Sequence, residues 1–241
     1  MTVPNFVVLD SIHGRFIVNR HCAFQAEALV KTGATHIESE LNNIFVLIDT
    51  LPTGAVIIDG GANAGFFTIP VANRIRGRGQ RIISFEPQLT LFRALSGSLA
   101  LNDIDFCDLQ LAGLGAAAGT AIVPDVDYST PQDFGTVQIS AAGAGTPVDV
   151  VTIDSLGLER VDFIKLDVEG YECAALAGGL DMIQQHRPYI WIEFFISGKD
   201  PIKESLAGVP DYAFFQVDYQ NMLCIPRERL PEIKFSGVAE C

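Results

Sequence analysis

Positive charge is scarce in this sequence. Its 241 residues hold 16 Lys and Arg against 29 Asp and Glu, a formal net charge of −13. Basic residues form no run, so the electrostatic footprint of a duplex-binding protein is missing. Nothing favours an anionic membrane surface either. Long hydrophobic runs are also missing. The longest near-apolar stretch, Tyr189 to Ile196, is broken by Glu193, and a membrane span needs ~20 such residues. Residues 1–5 show no basic segment leading into an apolar core, so no signal peptide is expected. The five cysteines (Cys22, Cys107, Cys173, Cys224, Cys241) form no Cys-x-x-Cys pair. Neither a zinc site nor a disulfide framework is implied, and reduced thiols are expected. These absences point to a soluble cytoplasmic protein with no nucleic acid and no membrane partner.

Apolar residues make up 49% of the chain, enough for one large core. Alternation over residues 5–19 predicts two short strands around the turn Asp10–Gly14. Ile37, Leu41, Ile44 and Ile48 lie at helical spacing, so a helix is expected over about 36–49. From residue 55 the pattern changes. Short β-branched runs (Ala55–Ile58, Arg81–Phe85, Phe106–Leu111, Val161–Val168, Tyr189–Ile196) alternate with helical stretches. One of these helices is expected over 171–186. That alternation predicts a parallel sheet with helices on both faces. Two further runs, Ala213–Val217 and Met222–Ile225, predict an antiparallel hairpin at one edge. Residues 115–150, rich in Ala, Gly, Thr and Asp, read as an elaboration with two edge strands over the site. The expected organisation is an N-terminal extension, 1–51, on a single larger unit, 52–241.

Three motifs carry chemistry. In Ile58-Asp59-Gly60-Gly61-Ala62-Asn63-Ala64-Gly65-Phe66 a strand ends in an acid and turns through glycines into a helix. Such a turn brings backbone close to a ligand at the carboxyl ends of parallel strands. Position 62 is Ala where the dinucleotide fingerprint needs Gly, and no Gly-Lys-Ser/Thr follows. A carboxylate at Asp59 repels a pyrophosphate but suits an ammonium or sulfonium. In Ser84-Phe85-Glu86-Pro87 an acid closes the second strand, where it can accept two hydrogen bonds from ribose hydroxyls. In Ile164-Lys165-Leu166-Asp167-Val168-Glu169-Gly170 three charges share one face of a strand otherwise read as buried. Buried charges are costly unless paired, and such violations cluster at functional sites. Glu193 is a further acid in the neighbouring strand.

These motifs, in this order, resemble those of the FkbM-type S-adenosylmethionine-dependent methyltransferases, over roughly residues 50–196. Asp59–Gly65 is similar to the family's Asp-x-Gly-Ala-Asn-x-Gly, Phe85-Glu86-Pro87 to its Phe-Glu-Pro, and Ile164–Gly170 to its Ile-Lys-x-Asp-x-Glu-Gly. Arg187-Pro188 with Glu193 resembles its closing Arg-Pro…Glu. The chain departs at Gly113-Leu114-Gly115-Ala116, where the family often has Ala-Leu-Ser-Asp. The resemblance implies a class I methyltransferase fold, Rossmann-like, with a mostly parallel seven-stranded sheet. It implies S-adenosyl-L-methionine as cofactor and a small-molecule hydroxyl acceptor, such as a sugar or natural product. Asp59, Gly60, Gly61, Asn63 and Gly65 would hold the methionine end, Glu86 and Pro87 the ribose, with Phe66 and Leu114 as walls. Glu169 is the expected base, and Asp167 positions the cofactor. The four histidines (His13, His21, His36, His186) are the other candidate bases. No metal is expected, although Asp167, Glu169 and Glu193 together offer an alternative divalent-cation site. An amine or protein side chain as acceptor, and a nucleotide-binding oxidoreductase or binding module, are the competing readings.

Overall fold

Strand Val56–Gly60 is buried along its whole length, so side chains on both faces must find apolar partners. The computed structural model, which describes residues 4–232 and 240–241, shows how they do so. Strands β1 (Phe6–Ser11) and β2 (Gly14–Asn19) form an antiparallel hairpin. Helices α1 (Ala23–Thr32) and α2 (Glu38–Thr50) follow. Then come β3 (Val56–Gly60), α3 (Thr68–Ile75), β4 (Arg81–Phe85), α4 (Leu89–Leu101) and β5 (Cys107–Gln110). Strands β6 (Ala112–Leu114), β7 (Gly119–Val123) and β8 (Thr146–Val151) build a separate small sheet. The chain continues with β9 (Phe163–Leu166), α5 (Glu172–Ala177), α6 (Leu180–His186), β10 (Tyr189–Glu193), α7 (Lys199–Ser205), β11 (Tyr212–Gln216) and β12 (Asn221–Pro226).

The main sheet has seven strands in the order β11-β12-β10-β9-β3-β4-β5. From β10 to β5 all pairings are parallel, and β12 and β11 add the antiparallel hairpin. The order reverses between β3 and β9, and parallel sheets bind ligands outside that point. Successive side chains along a strand face opposite sides. Ile57, Phe163, Tyr189 and Trp191 thus join one core with α2, α3 and the N-terminal hairpin. Ile58, Ile164, Leu166 and Ile190 join the other, with α5 and α6. No helix among the described residues is long and apolar enough to cross a membrane.

Three expectations are corrected. Strand β9 ends at Leu166. Asp167 N–H still donates to the Gly60 carbonyl, and its side chain stands beside Lys165 on the same side. Glu169, at φ +53, lies on the following turn and does not continue that face. The helix expected over 171–186 is two helices broken at Gly178-Gly179. A Cβ on Gly178 would stand 2.0 Å from the Gly115 carbonyl oxygen. The Gly178 carbonyl accepts Asp154 N–H (2.8 Å), and Asp154 Oδ1 in turn accepts Met182 N–H (2.9 Å) at the start of α6. Of the strands within 115–150, β8 pairs with β6 and β7 with β8, and neither joins an edge of the main sheet. Helices α1 and α7 carry little signal in the sequence. Two exposed apolar side chains, Phe24 and Val30, blur the stripe of α1, and α7 is only seven residues long.

Glycine-to-alanine changes at negative φ ordinarily stabilise by ~0.4–1 kcal/mol. At Gly178 the close carbonyl reverses the sign. Gly178→Ala is expected to lower stability by ~1–3 kcal/mol, the usual cost of overpacking. A urea midpoint at or above wild type rules out this account of the break.

Candidate functional site

The β3–α3 turn is fixed from below and from the side. Gly61 and Ala62 N–H both donate to the Phe85 carbonyl (3.0 and 2.9 Å), tying the turn to the end of β4. Gly61 has φ +77, and a Cβ there would meet the Asp167 carbonyl oxygen at 1.8 Å. Only glycine lets the ends of β3 and β9 approach this closely. Asn63, at φ +51, donates its backbone N–H to Glu86 Oε2 (2.8 Å), while Gln88 N–H donates to Glu86 Oε1 (2.8 Å).

Beneath the turn, Lys165 joins the motifs. Its Nζ donates to the Gly61 carbonyl (2.9 Å) and lies 3.3 Å from Asp59 Oδ1 and 3.4 Å from Asp167 Oδ2. Burial pulls the ammonium's pKa down. The carboxylates of Asp59 and Asp167 more than offset this and hold it above the ordinary lysine value. Asp59 itself has no exposed surface and accepts a hydrogen bond from Thr68 Oγ1 (2.6 Å). Asp59 therefore lies sealed beneath the turn and borders neither cavity. Burial raises its pKa, and the Lys165 ammonium beside it opposes that shift.

Two cavities meet above these residues. The first is a narrow pocket at the ends of β3, β4 and β9. Among the residues singled out in the sequence, Gly61, Asn63, Glu86, Pro87, Leu114, Asp167 and Glu169 line it. Gly60 and Gly65 shape the turn from behind, and Phe66 lines the second cavity. That second cavity is a broader cleft between α1, α2, the end of β10 and the β11–β12 turn. Gly61, Asn63, Gly135, Asp167 and Glu169 border both.

Glu169 occupies a strained position, φ +53, followed by Gly170 at φ +95. The turn is held by Glu172, whose buried carboxylate accepts the N–H groups of Val168 (3.0 Å) and Gly170 (3.1 Å). Carboxylate oxygens of Asp167, Glu169 and Glu193 lie within 4.8 Å of one another. Burial, then the nearby charge of Asp167, pushes Glu169 up to about 7 and Glu193 up to about 8. Burial raises Glu86 to about 7, against its two backbone donors. Glu40 is likewise raised to about 7 by burial and by the charge of Asp218. A cationic ligand would favour the ionised forms of these carboxyls.

Of the histidines, His36 alone lines either cavity. Burial lowers its pKa to about 4, so it is neutral near pH 7. His13 bonds Glu38 (2.9 Å) and His21 faces Asn5 Oδ1 (3.3 Å), away from the site. Several lining residues carry no motif in the sequence. Val137 and Ile139 wall the first cavity, and Gln88 holds their segment across it. Its Nε2 donates to the Phe134 carbonyl (2.9 Å), and its Oε1 accepts Tyr128 O–H (2.9 Å). Glu40 and Asp218 reach the cleft from opposite ends of the chain. The one legible signal was the unassigned segment's place between the second and third motifs.

The sequence profile of the Methyltransferase FkbM domain matches residues 59–216, more than half of the chain. A curated relative, Methyltransferase sdnD of Sordaria araneosa, is 29% identical over 164 residues, 54% of this chain and 62% of that protein. This chain thus spans less than two thirds of that relative's length. Among solved structures, methyltransferase FkbM of Methylobacillus flagellatus KT aligns with TM-score 0.53 at 18% identity, over 83% of this chain and 54% of that one. An O-methyltransferase from Bacillus cereus, in complex with SAH, aligns with TM-score 0.50 at 13% identity, over 86% and 91%. Likeness at these identities shows the shared fold and not the acceptor.

The raised carboxyls have a thermodynamic consequence. The folded state keeps protons on Glu40, Glu86, Glu169 and Glu193 that the unfolded chain releases near 4.5. Stability conferred this way is lost as pH rises through the folded pKa values. His36, depressed to about 4 from 6.5, acts oppositely, but only below about 6.5. The ligand-free protein should therefore lose thermal stability between about pH 6.5 and about pH 8.5. Glu193→Gln should flatten that slope. A melting temperature that rises over this window contradicts the assignment of protons to these carboxyls.

Proposed function

Because the chain belongs to the FkbM methyltransferase family, we propose that it transfers a methyl group from S-adenosyl-L-methionine to a hydroxyl of a small-molecule acceptor. The observation that carries the reading is the junction of the two cavities at Asp167 and Glu169. A cofactor in one and an acceptor in the other would meet where a carboxyl of pKa about 7 stands.

The residues fit such a cofactor. Glu86 is buried and spends two of its roughly four lone-pair sites on Asn63 and Gln88 N–H groups, leaving acceptor capacity toward the cavity for ribose hydroxyls. Leu114, Val137 and Ile139 offer apolar walls for a flat ring. Gly61 and Asn63 border the junction, where the methionine end would lie, and Asp167 supplies negative charge for its sulfonium. The cofactor brings an electrophilic methyl on sulfur, and the electron pair of the broken S–C bond stays with sulfur. An alcohol is a weak nucleophile until its proton is removed in the transition state. Glu169 takes that proton, and the turn held by Glu172 fixes its carboxylate. Gln88 ties Phe134 and Tyr128 of the segment that supplies Val137 and Ile139 to the cavity wall.

Three outcomes test the reading. S-adenosylhomocysteine should bind, and Glu86→Ala should weaken it ~10- to 100-fold, the loss of ~1.5–3 kcal/mol of charge-assisted hydrogen bonding. Equal affinity in calorimetry rejects the ribose role. With an acceptor in hand, kcat should rise with pH to a plateau, with an apparent pKa at or below about 7. Glu169→Gln should abolish that limb and cost ~100- to 10,000-fold in rate while sparing cofactor affinity. Normal turnover by Glu169→Gln moves the base elsewhere. Activity should also survive EDTA. Inactivation by EDTA that magnesium reverses would make Asp167, Glu169 and Glu193 metal ligands.

A further inference from the structure

The proposed function leaves the acceptor's chemistry open, and the cleft beside the cofactor cavity narrows it. Six carboxyl side chains line that cleft: Glu40, Asp133, Asp167, Glu169, Glu193 and Asp218. The one Lys or Arg in its lining is Lys165, whose ammonium is already committed to Asp59, Asp167 and the Gly61 carbonyl. His36 is neutral. No free cation faces the cleft among the described residues to receive a phosphate or carboxylate. An anion placed there would meet the ionised acids with no cation to offset them and would hold the others in their protonated form, which disfavours anionic ligands.

One end of the cleft is organised. Glu193 pairs with Asn221 across β10 and β12. Asp218 accepts the Asn221 N–H (2.7 Å) and side-chain amide (3.0 Å), which fixes it beside that pair. Glu40 feels both Asp218 and Asn221. Aromatic rings stand at the same cleft unusually open to solvent: Tyr219 is 76% exposed, Phe195 71% and Phe24 65%. Exposed aromatics beside carboxylates are the chemistry that holds ammonium groups, by ring face and by charge together.

Resting on the methyltransferase reading, we propose that the acceptor carries, besides its reacting hydroxyl, a protonated amine on an apolar frame. The amine sits among Glu40, Glu193 and Asp218 with Tyr219 and Phe195 against its frame. The hydroxyl then points back toward Glu169.

The test uses three small probes of one shape: cyclohexylmethylamine, cyclohexylmethanol and cyclohexanecarboxylate. Binding is read on the full chain saturated with S-adenosylhomocysteine, by calorimetry and by fluorescence of Trp191. That residue is the chain's single tryptophan and lines the cleft. The amine should bind at least ~10-fold tighter than the alcohol, and the carboxylate should not bind. Raising salt from about 0.05 to about 0.5 M should shrink the difference. Glu40→Gln and Tyr219→Ala should each reduce it, with S-adenosylhomocysteine affinity as the control that each variant is folded. The proposal is overturned if the alcohol binds as tightly as the amine or if the carboxylate binds better. It is also overturned if neither substitution touches the amine's advantage, or if magnesium alone displaces the amine by occupying the acids. The amine series is repeated on the free protein. Failure of S-adenosylhomocysteine to bind then counts against the cofactor reading alone.

Discussion

The Lys165 ammonium is the contact on which the site depends. It stands between the ends of β3 and β9, the point where strand order reverses, and holds Gly61, Asp59 and Asp167 at once. Taking an ammonium and a carboxylate out of water is expensive, and removing one member of such a pair generally costs ~3–5 kcal/mol. Apolar residues at positions 59 and 165 would build the sheet at least as well. What the pair adds is position. The cation anchors a carbonyl of the glycine turn and leaves Asp167, half-exposed, turned to the cavity. Thr68 and Ser84, 2.9 Å apart beneath Asp59, complete the polar plug in an otherwise apolar sheet.

Much of this was legible because its signals are local. The alternation of β-branched runs with helical stretches fixed the parallel sheet, and Asp59–Gly65, Phe85–Pro87 and Ile164–Gly170 fall at neighbouring strand ends in the structure. The pattern could not show that β9 stops at Leu166. The run of alternating charge continues through Glu169, but Glu169 and Gly170 adopt positive φ, which period-two reasoning does not register. Nor could it show that Asp59 is sealed below the cavity, since that depends on Thr68 nine residues later. The Gln88 contacts to Tyr128 and Phe134 span 40 and 46 positions, and Glu40 meets Asp218 from the far end of the chain. Such pairings belong to the tertiary fold and leave no mark in spacing.

The charge distribution links stability to function. Acids that touch neither cation nor backbone donors are a liability in the ligand-free state, since burial and mutual repulsion push Glu40, Glu169 and Glu193 upward together. Proteins keep such arrangements where a ligand relieves them. A sulfonium beside Asp167 and an ammonium beside Glu193 would each return their neighbours toward ionisation. Under the proposed reading, binding free energy and proton release would then be coupled, and the repulsion that weakens the empty protein would strengthen its hold on a cation.

The coupling also sets the order of roles among the three acids at the junction. Asp167 stands 3.4 Å from the Lys165 ammonium, so its charge is already committed to a cation. Glu193 has no such partner among the described residues and is raised to about 8, chiefly by burial. Glu169 is raised to about 7, first by burial and then by the charge of Asp167, on a turn held by Glu172. A base must be ionised at working pH yet basic enough to accept a proton in the transition state. Under the proposed reading Glu169 takes this role, since it borders both cavities and has no cation partner among the described residues. Its surroundings keep it there, Asp167 by raising its pKa and a bound cation by lowering it.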